Sequence, residues 1–144
     1  MHHPIGQHSG TKRSANGVND MSPKARTYLY LITTGLFSLG MLGGGVMDLR
    51  QPPELVETMK HLGYPAYVMT MLGVGKLLGV AALLAPRLPR LKEWAYAGFA
   101  FDLIGASVSH AASGDPMGKI LPPLVLLGIA MASWATRPAD RRLG

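Results

Sequence analysis

Apolar residues dominate four stretches of the chain, each interrupted only by isolated polar residues. An α-helix needs about 20 such residues to cross the hydrocarbon part of a bilayer. A helix of a soluble bundle would instead carry a continuous polar stripe. The pattern therefore predicts an all-α integral membrane four-helix bundle with spans Tyr28–Met47, Ala66–Ala85, Trp94–Ala112 and Ile120–Thr136. Pro122–Pro123 would then fall in the first turn of the fourth helix, which accommodates proline because its N–H groups have no helical partner.

Two opposite charges interrupt the second and third predicted spans. Lys76 lies 13 residues before Pro89, which we place at the centre of the connecting turn, and Asp102 lies 13 residues after it. In an antiparallel hairpin this symmetry puts both side chains at the same depth. An unpaired charge at mid-membrane costs about 2.5–3.5 kcal/mol even on the gentler insertion scales, so we predict that Lys76 contacts Asp102. Such a pair either fixes the helix register or serves as a proton relay or a polar anchor for a ligand.

The segment between the first two spans differs from the other connections. Apolar residues recur in it at helical spacing, and Pro52–Pro53 and Gly63–Pro65 flank it as helix breakers. We interpret Glu54–Leu62 as a short amphipathic helix that lies on the outer surface and closes over the mouth of the bundle. A simple surface loop is the alternative, because so short a helix is marginal on its own.

Polar side chains are also expected to meet at the outer ends of the spans. Asp48 ends the first span, and His110 lies near the outer end of the third, eight residues beyond Asp102. Together with His61 and Tyr64 they form a predicted polar mouth. Histidine titrates near neutral pH and can exchange protons. A hydrogen-bonded histidine at the membrane interface is the alternative interpretation of His110.

Basic residues are distributed unevenly between the predicted connections. Ten lie on one side of the membrane, and only Arg50, Lys60 and Lys119 lie on the other. The positive-inside rule then predicts a multi-pass protein of the bacterial inner membrane with both termini in the cytoplasm. The net charge of +6 is a signal of topology. Nothing in the sequence supplies the basic face of a soluble nucleic-acid-binding fold.

Three regions are predicted along the chain. Residues 1–27 are polar and form a disordered cytoplasmic tail, residues 28–136 form the four-helix transmembrane domain, and residues 137–144 form a basic cytoplasmic tail. No signal peptide is recognised, and the first span is expected to act as an uncleaved anchor. Met21 is an alternative start site to Met1, which would make the first tail dispensable.

Composition and spacing limit the chemistry. Without cysteine the chain cannot form disulfides or exchange dithiols. No His-x-x-x-His or Glu-x-x-His spacing occurs within a span, and His110 has no second histidine inside the membrane to face it. We therefore expect neither a metal site nor a haem. Small residues at a spacing of four predict close helix packing at Gly40–Gly44, Gly75–Gly79 and Gly105–Ser109.

Three stretches together carry a resemblance to a known family. They are Leu62-Gly-Tyr-Pro65, Leu72-Gly-Val-Gly-Lys-Leu-Leu-Gly79 and, above all, the third span from Lys92 to His110. The chain resembles the DoxX-like family of small bacterial membrane proteins over about residues 28–136. The resemblance implies a four-helix membrane bundle. Some members of the wider family accompany quinone-linked or thiol-redox systems, and the lack of cysteine here departs from the thiol-linked relatives.

Three classes of function stay open. The leading hypothesis is that the chain binds an apolar ligand, a quinone or a lipid, or supports a membrane redox partner. The ligand-binding candidates are Lys76, Asp102, His110, Asp48 and Tyr64. The second hypothesis is a membrane-embedded, isomerase-like enzyme in which Asp102, Lys76 or His110 moves protons on an apolar substrate. The third is a structural partner subunit. The lipid bilayer is the expected environment in every case, and homo-oligomerisation is left open.

Overall fold

The protein is helical throughout the part of the chain that the structure describes. The computed structural model describes residues 21–143, so most of the predicted first tail lies outside it. No strand occurs in those residues. Five α-helices follow one another: α1 (Pro23–Arg50), α2 (Pro53–His61), α3 (Tyr67–Leu84), α4 (Pro89–Ala112) and α5 (Met117–Thr136), before a 3-10 turn at Ala139–Arg141.

Three of these helices, α1, α3 and α5, are long and apolar enough to cross a membrane. Many of their large apolar side chains face outward, and Leu36, Leu39 and Leu78 are 58%, 69% and 66% exposed. Apolar exposure on this scale is typical of a lipid-facing surface. Helix α4 does not belong to this group, since Asp102 and His110 lie within its apolar part. Its crossing of the membrane stays a prediction.

The four long helices pack in a closed order around a common core. Helix α1 contacts α3 and α5, and α4 contacts the same two helices from the other side. The core contains Phe37 of α1, Leu83 of α3, Phe99 of α4 and Ala130 of α5. The rings of Phe37 and Phe99 meet edge to face with centroids 5.0 Å apart, an arrangement that aromatic pairs favour.

The closest helix approach joins Gly45 of α1 to Gly73 of α3. A Cβ added at Gly73 would lie 2.9 Å from the Gly45 carbonyl oxygen and 2.8 Å from the Leu49 side chain. Only glycine fits such a crossing. The predicted small-residue pairs pack closely at one member only: a Cβ at Gly79 would lie 2.5 Å from the Phe99 ring and one at Gly40 would lie 3.5 Å from Leu126, whereas a Cβ at Gly44, Gly75 or Gly105 would meet no described atom within 4 Å.

The turn between α3 and α4 corrects two predictions. Pro89 is the first residue of α4 rather than the centre of the turn, a position that suits proline because the N–H there is unpaired anyway. Lys92, which we counted among the basic residues of the connection, lies in α4 and is fully buried. Its Nζ donates to the carbonyl oxygens of Ala82 (3.1 Å) and Leu83 (2.6 Å), and also to that of Ala85. Lys92 therefore satisfies the free carbonyls at the end of α3.

Helix α5 starts earlier than predicted. It begins at Met117 rather than Ile120, so Pro122 and Pro123 lie inside the helix and not in its first turn. Each proline removes one backbone hydrogen bond from the preceding turn. The hydroxyl of Ser107 on α4 donates to the Ile120 carbonyl at 3.1 Å. A side chain of the neighbouring helix thus supplies a hydrogen bond where the helix is weakened.

Two helix predictions near the first connection have different outcomes. The short helix predicted at Glu54–Leu62 is confirmed as α2, with its boundaries shifted by one residue. Helix α1 begins at Pro23, behind a cap in which Ser22 Oγ accepts from the Ala25 amide at 3.3 Å. Residues 23–27, which we assigned to the disordered tail, therefore belong to α1.

Candidate functional site: a charged cavity under α2

Lys76 lies between two carboxylates. Its Nζ is 2.7 Å from Asp48 Oδ2 and 3.6 Å from Asp102 Oδ2. The three side chains are between 13% and 17% exposed. The predicted contact between Lys76 and Asp102 is confirmed, but Asp102 is the more distant partner. We call these three residues the charged triad.

The approach of α1 to α3 brings Asp48 to Lys76. Asp48 follows Gly45 by three residues, and Lys76 follows Gly73 by three residues. Residues three apart lie on the same face of a helix. The crossing therefore places both charged side chains at one seam. Because α1 and α3 run antiparallel, this spacing offsets the two residues along the helix axes, and the long side chain of Lys76 bridges the offset to Asp48.

A cavity of about 290 Å³ lies next to the triad. Asp48, Lys76, Asp102 and His110 supply its charged and titratable wall. Side chains of α2 and of the residue after it form one side, which we call the roof: Leu55, Thr58, Met59 and Leu62. Most of the remaining lining is apolar, including Met41, Leu72, Leu103, Pro122, Pro123 and Leu126. Ligand sites commonly combine an apolar lining with a few convergent polar groups in this way.

Two further clefts open along the seam between α3 and α4. Each has a volume of about 220 Å³, and Asp102 lines both of them. One cleft also includes Lys76 and Trp94. The seam is open at three glycines: a Cβ added at Gly75, Gly98 or Gly105 would meet no atom of the described residues within 4 Å. Lys76 and Asp102 thus border both the cavity under α2 and one of these clefts.

The predicted polar mouth has different members. His110 Nδ1 lies 2.7 Å from Asp115 Oδ2, and His61 Nε2 lies 3.1 Å from Asp115 Oδ1. Asp48 is not part of this cluster, since its hydrogen bond goes to Lys76. Tyr64 is also displaced from it and pairs with Ser109 at 2.8 Å. Asp48 and His110 nevertheless line the same cavity, as their predicted positions at the outer helix ends imply.

Asp115 joins the roof to the loop between α4 and α5. The hydrogen bond from His110 is the main reason that the pKa of Asp115 is below its ordinary value of 3.8, and His61 and Lys119 add to the effect. Because His61 ends α2, this carboxylate fastens one end of the roof. Sequence reasoning missed Asp115, although it lies only five residues beyond His110 and beside Gly114 with a positive φ of 73°. We call His61, His110 and Asp115 the roof latch.

The opposite end of the molecule is closed by hydrogen bonds. Arg137 is buried and its Nη2 lies 2.6 Å from Glu93 Oε1, while Trp134 Nε1 donates to the other oxygen of Glu93 at 2.9 Å. Deeper in, Ser133 Oγ lies 2.6 Å from both the Thr34 and the Tyr96 hydroxyls. Arg137 therefore belongs to the packed domain and not to a tail that begins at residue 137.

The family comparison matches residues 32–133, more than half of the chain, to the model of the DoxX-like family. The chain belongs to the DoxX-like family. Together with the three apolar helices, this membership identifies a small membrane protein. The matched part of this DoxX-like chain contains the triad and the roof latch. No curated protein and no solved structure was found to match the chain.

No group of three or more histidine, aspartate or glutamate side chains among residues 21–143 is arranged to hold a metal ion. The chemistry on offer is instead one ammonium group, two carboxylates and a histidine beside an apolar cavity. Such a site can donate hydrogen bonds to a ligand oxygen and can hold or pass a proton.

Proposed function

We propose that the protein binds a lipid-soluble molecule with an oxygen-bearing head, a quinone being the best fit, with the head at Lys76 and Asp102. One observation carries the proposal: these two residues border both the cavity under α2 and one of the clefts between α3 and α4. A molecule dissolved in the bilayer would meet them on its way inward between α3 and α4. Tyr64 lines one of these clefts and His110 lines the cavity, so both stay candidates for contact with the ligand.

The size of the cavity supports a head group rather than a whole lipid. Pockets for small molecules are commonly about 300–1,000 Å³, and about 290 Å³ is available here. A ring with its oxygens would fill that volume, and an attached isoprenoid tail would leave through the seam. The cavity that would hold the ring and the seam that would hold the tail are both lined mostly by apolar side chains, as a quinone requires.

The geometry of Lys76 supports hydrogen bonding to such a head. An ammonium group has three donors, and one of them is held by Asp48 at 2.7 Å. Asp102 lies at 3.6 Å and is the more loosely held partner. A carbonyl oxygen entering beside Asp102 can take a donor of Lys76 without breaking the shorter bond to Asp48. Asp102, if protonated, can donate to a second ligand oxygen.

We also propose that all four long helices span a bacterial inner membrane as a bundle with both termini in the cytoplasm. The charges of α4 support its inclusion, because every one beyond Arg90 in its first turn has a partner. Lys92 is held by carbonyl groups, Glu93 by Arg137 and Asp102 by Lys76. A charge that is paired or hydrogen-bonded costs less free energy in a membrane than an unpaired charge. The mean hydropathy of α4 ignores this pairing and therefore overstates the cost of inserting the helix. The ten-to-three distribution of basic residues supports the orientation.

Quinone binding can be measured through Trp94, which lines the cleft beside Lys76. The chain has two tryptophans, so Trp134→Phe leaves Trp94 as the only one. Decylubiquinone should quench Trp94 fluorescence saturably in detergent. Lys76→Met should raise Kd about tenfold or more, since a hydrogen bond to a charged group is worth about 1.5–3 kcal/mol. Lys60→Met is the matched control, because Lys60 is exposed on α2 and pairs only with Glu57.

A steric variant separates binding from the stability of the triad. Gly98→Val adds a branched side chain to the cleft and replaces no charged residue. The change is sterically allowed, since a Cβ at Gly98 would meet no described atom within 4 Å. It should slow quinone entry, whereas Gly35→Val, on an equally open position of α1, should not. Equal Kd values for the parent protein and Lys76→Met, with unchanged entry in Gly98→Val, would refute quinone binding at this site.

The acid–base enzyme is a second candidate because one ammonium group faces two carboxylates. The triad offers a proton donor in the ammonium group of Lys76 and proton acceptors in its two carboxylates. An enzyme of this kind should exchange hydrogen for deuterium beside the carbonyl group of a bound apolar ketone. Proton NMR in D2O would detect the exchange, and Asp102→Asn should abolish it. Co-purification of a redox protein, with neither quinone binding nor exchange, would favour the partner-subunit function.

A further inference from the structure

A second pocket lies at the other end of the molecule from the roof. Its volume is about 530 Å³, and it is bordered by the α3–α4 turn, the start of α4 and Leu143 near the C-terminus. Arg87 and Arg90 border it together with Leu91 and Trp94. We propose that this pocket binds one anionic phospholipid, with its phosphate between Arg87 and Arg90 and an acyl chain along Leu91 and Trp94. The proposal does not depend on the quinone site.

The two arginines are available for a ligand. Within residues 21–143, neither Arg87 nor Arg90 takes part in an ion pair or a side-chain hydrogen bond. By contrast, Arg137 is held by Glu93, and Arg141 by the Tyr30 hydroxyl. The first turn of α4 contains no acidic residue. Two free guanidinium groups at one pocket are opposite in charge to a phosphate, and each planar guanidinium can donate two hydrogen bonds to a pair of its oxygens.

The apolar part of the pocket argues for a lipid rather than a free anion. Leu91, Trp94 and Leu143 are 42%, 75% and 49% exposed. A soluble phosphate would leave these surfaces uncovered. Tryptophan is enriched at the level of lipid head groups, and Trp94 lies in α4 only a few residues after Arg90. The two arginines and the apolar side chains beside them therefore correspond to the phosphate and the acyl chain of one phospholipid.

The backbone at Arg87 supports a role for its side chain. Arg87 has a φ of 56°, a left-handed conformation that glycine adopts more easily. A glycine would relieve this strain, whereas the arginine makes no side-chain hydrogen bond or ion pair with another described residue that would offset it. A positive φ on a residue without protein partners is expected where the side chain serves a ligand. This makes Arg87→Gly a variant that should not weaken the fold.

The test uses Trp94 as a reporter of the lipid beside it. In the Trp134→Phe background, the protein is placed in phosphatidylcholine vesicles that contain a minor fraction of phosphatidylglycerol with brominated chains. Bromine quenches tryptophan at short range. Brominated phosphatidylglycerol should quench Trp94 more strongly than the same fraction of brominated phosphatidylcholine. The preference should correspond to about fivefold in relative association constant per arginine.

Variants decide whether the pocket causes this preference. Arg87→Gly with Arg90→Gln should reduce it to the level of phosphatidylcholine. Lys24→Gln, which removes an exposed charge of α1 at the same end of the molecule, should keep it. Lys76→Met should also keep it, so failure of the quinone site and failure of this pocket are distinguishable.

Three results would overturn the proposal. The first is equal quenching by both brominated lipids in the parent protein. The second is an unchanged preference in the double arginine variant, because the selectivity would then arise elsewhere. The third is loss of the preference on adding inorganic phosphate in excess, which would identify a free anion as the ligand instead of a lipid.

Discussion

Lys76 and Asp48, 28 residues apart in the sequence, form the shorter ion pair of the cavity, with Nζ 2.7 Å from Oδ2. The pair ties the end of α1 to the middle of α3. Asp102 joins it from α4 at 3.6 Å. A single lysine thus links three helices. Its removal leaves two carboxylates without their cation, and the loss of stability depends on whether Asp48 or Asp102 is replaced as well.

Lys76→Met should destabilise the protein by up to about 3–5 kcal/mol, as expected when one member of a buried pair is removed, and by less if a carboxylate then takes up a proton. Adding Asp48→Asn should recover more of the loss than adding Asp102→Asn, because Asp48 is the nearer partner. Unfolding in detergent gives both coupling energies by double-mutant cycles. Losses that simply add for Lys76 and Asp48 would show that the ion pair contributes nothing.

The helix crossing can be tested with two glycines of the same helix. Gly73→Ala should cost about 1–3 kcal/mol, since overpacking at a closed contact forces the backbones apart, and it should also weaken the pair between Asp48 and Lys76. Gly75→Ala is the control, because its Cβ would meet nothing within 4 Å. Replacing glycine by alanine inside a helix is worth up to about 1 kcal/mol, so the control should be neutral or stabilised. Equal unfolding midpoints for the two variants would contradict the crossing.

Lys92→Met should be more harmful than its position near a turn implies. It leaves the carbonyl oxygens of Ala82, Leu83 and Ala85 without their donor. A buried polar group left unsatisfied costs about 1–3 kcal/mol. Lys24→Met, which removes an exposed lysine, should change the free energy of unfolding little. A small effect of both substitutions would mean that water replaces the Lys92 ammonium group at the end of α3.

The roof latch should make stability depend on acid. Because the pKa of Asp115 is lowered in the folded protein, its ionised form favours folding. This contribution is complete above the ordinary value of 3.8 and is lost as the pH falls further, through the lowered pKa. Between pH 5 and pH 3, the free energy of unfolding should therefore fall less for Asp115→Asn than for the parent protein.

The same substitution should loosen α2 at neutral pH. Hydrogen exchange across Pro53–His61 should be faster in Asp115→Asn than in the parent protein, because α2 has no buried residue of its own to hold it. Glu57→Gln is the control, since Glu57 is exposed on α2 and contacts Lys60 alone. Unchanged exchange in Asp115→Asn would assign the attachment of the roof to apolar contacts.

The proposed orientation predicts the location of two reporter fusions. A reporter after Gly114, in the connection between α4 and α5, should be active in the periplasm. A reporter after Gly144 should be active in the cytoplasm. The opposite pattern would reverse the orientation and would put the roof latch on the cytoplasmic side.

Spacing along the chain was sufficient to predict the helices and one contact of the site. The symmetric positions of Lys76 and Asp102 about the α3–α4 turn predicted their meeting, even though Pro89 proved to belong to α4. The helical spacing of apolar residues likewise predicted α2. Both features depend on local regularity, in which sequence distance sets spatial distance.

The missed features depend on which helices cross and how closely. Asp48 reaches Lys76 only because Gly45 and Gly73 allow α1 and α3 to touch, and several other glycines offered equally good alternatives. Lys92 was assigned to the basic connection because charged residues mostly lie outside the packed core. Its burial follows from the free carbonyls at the end of α3, which become apparent only when the helix end is located.

The open seam between α3 and α4 has a consequence for how strongly different ligands would bind. If ligands enter from the side, the concentration that matters is the one dissolved in the membrane. A molecule with a longer tail would then bind at a lower total concentration without making any new contact with the protein, because each added CH2 group favours the membrane by about 0.8 kcal/mol. Selectivity would depend on solubility in lipid first and on the hydrogen bonds of Lys76 second, and water-soluble analogues would bind poorly even with a matching head group.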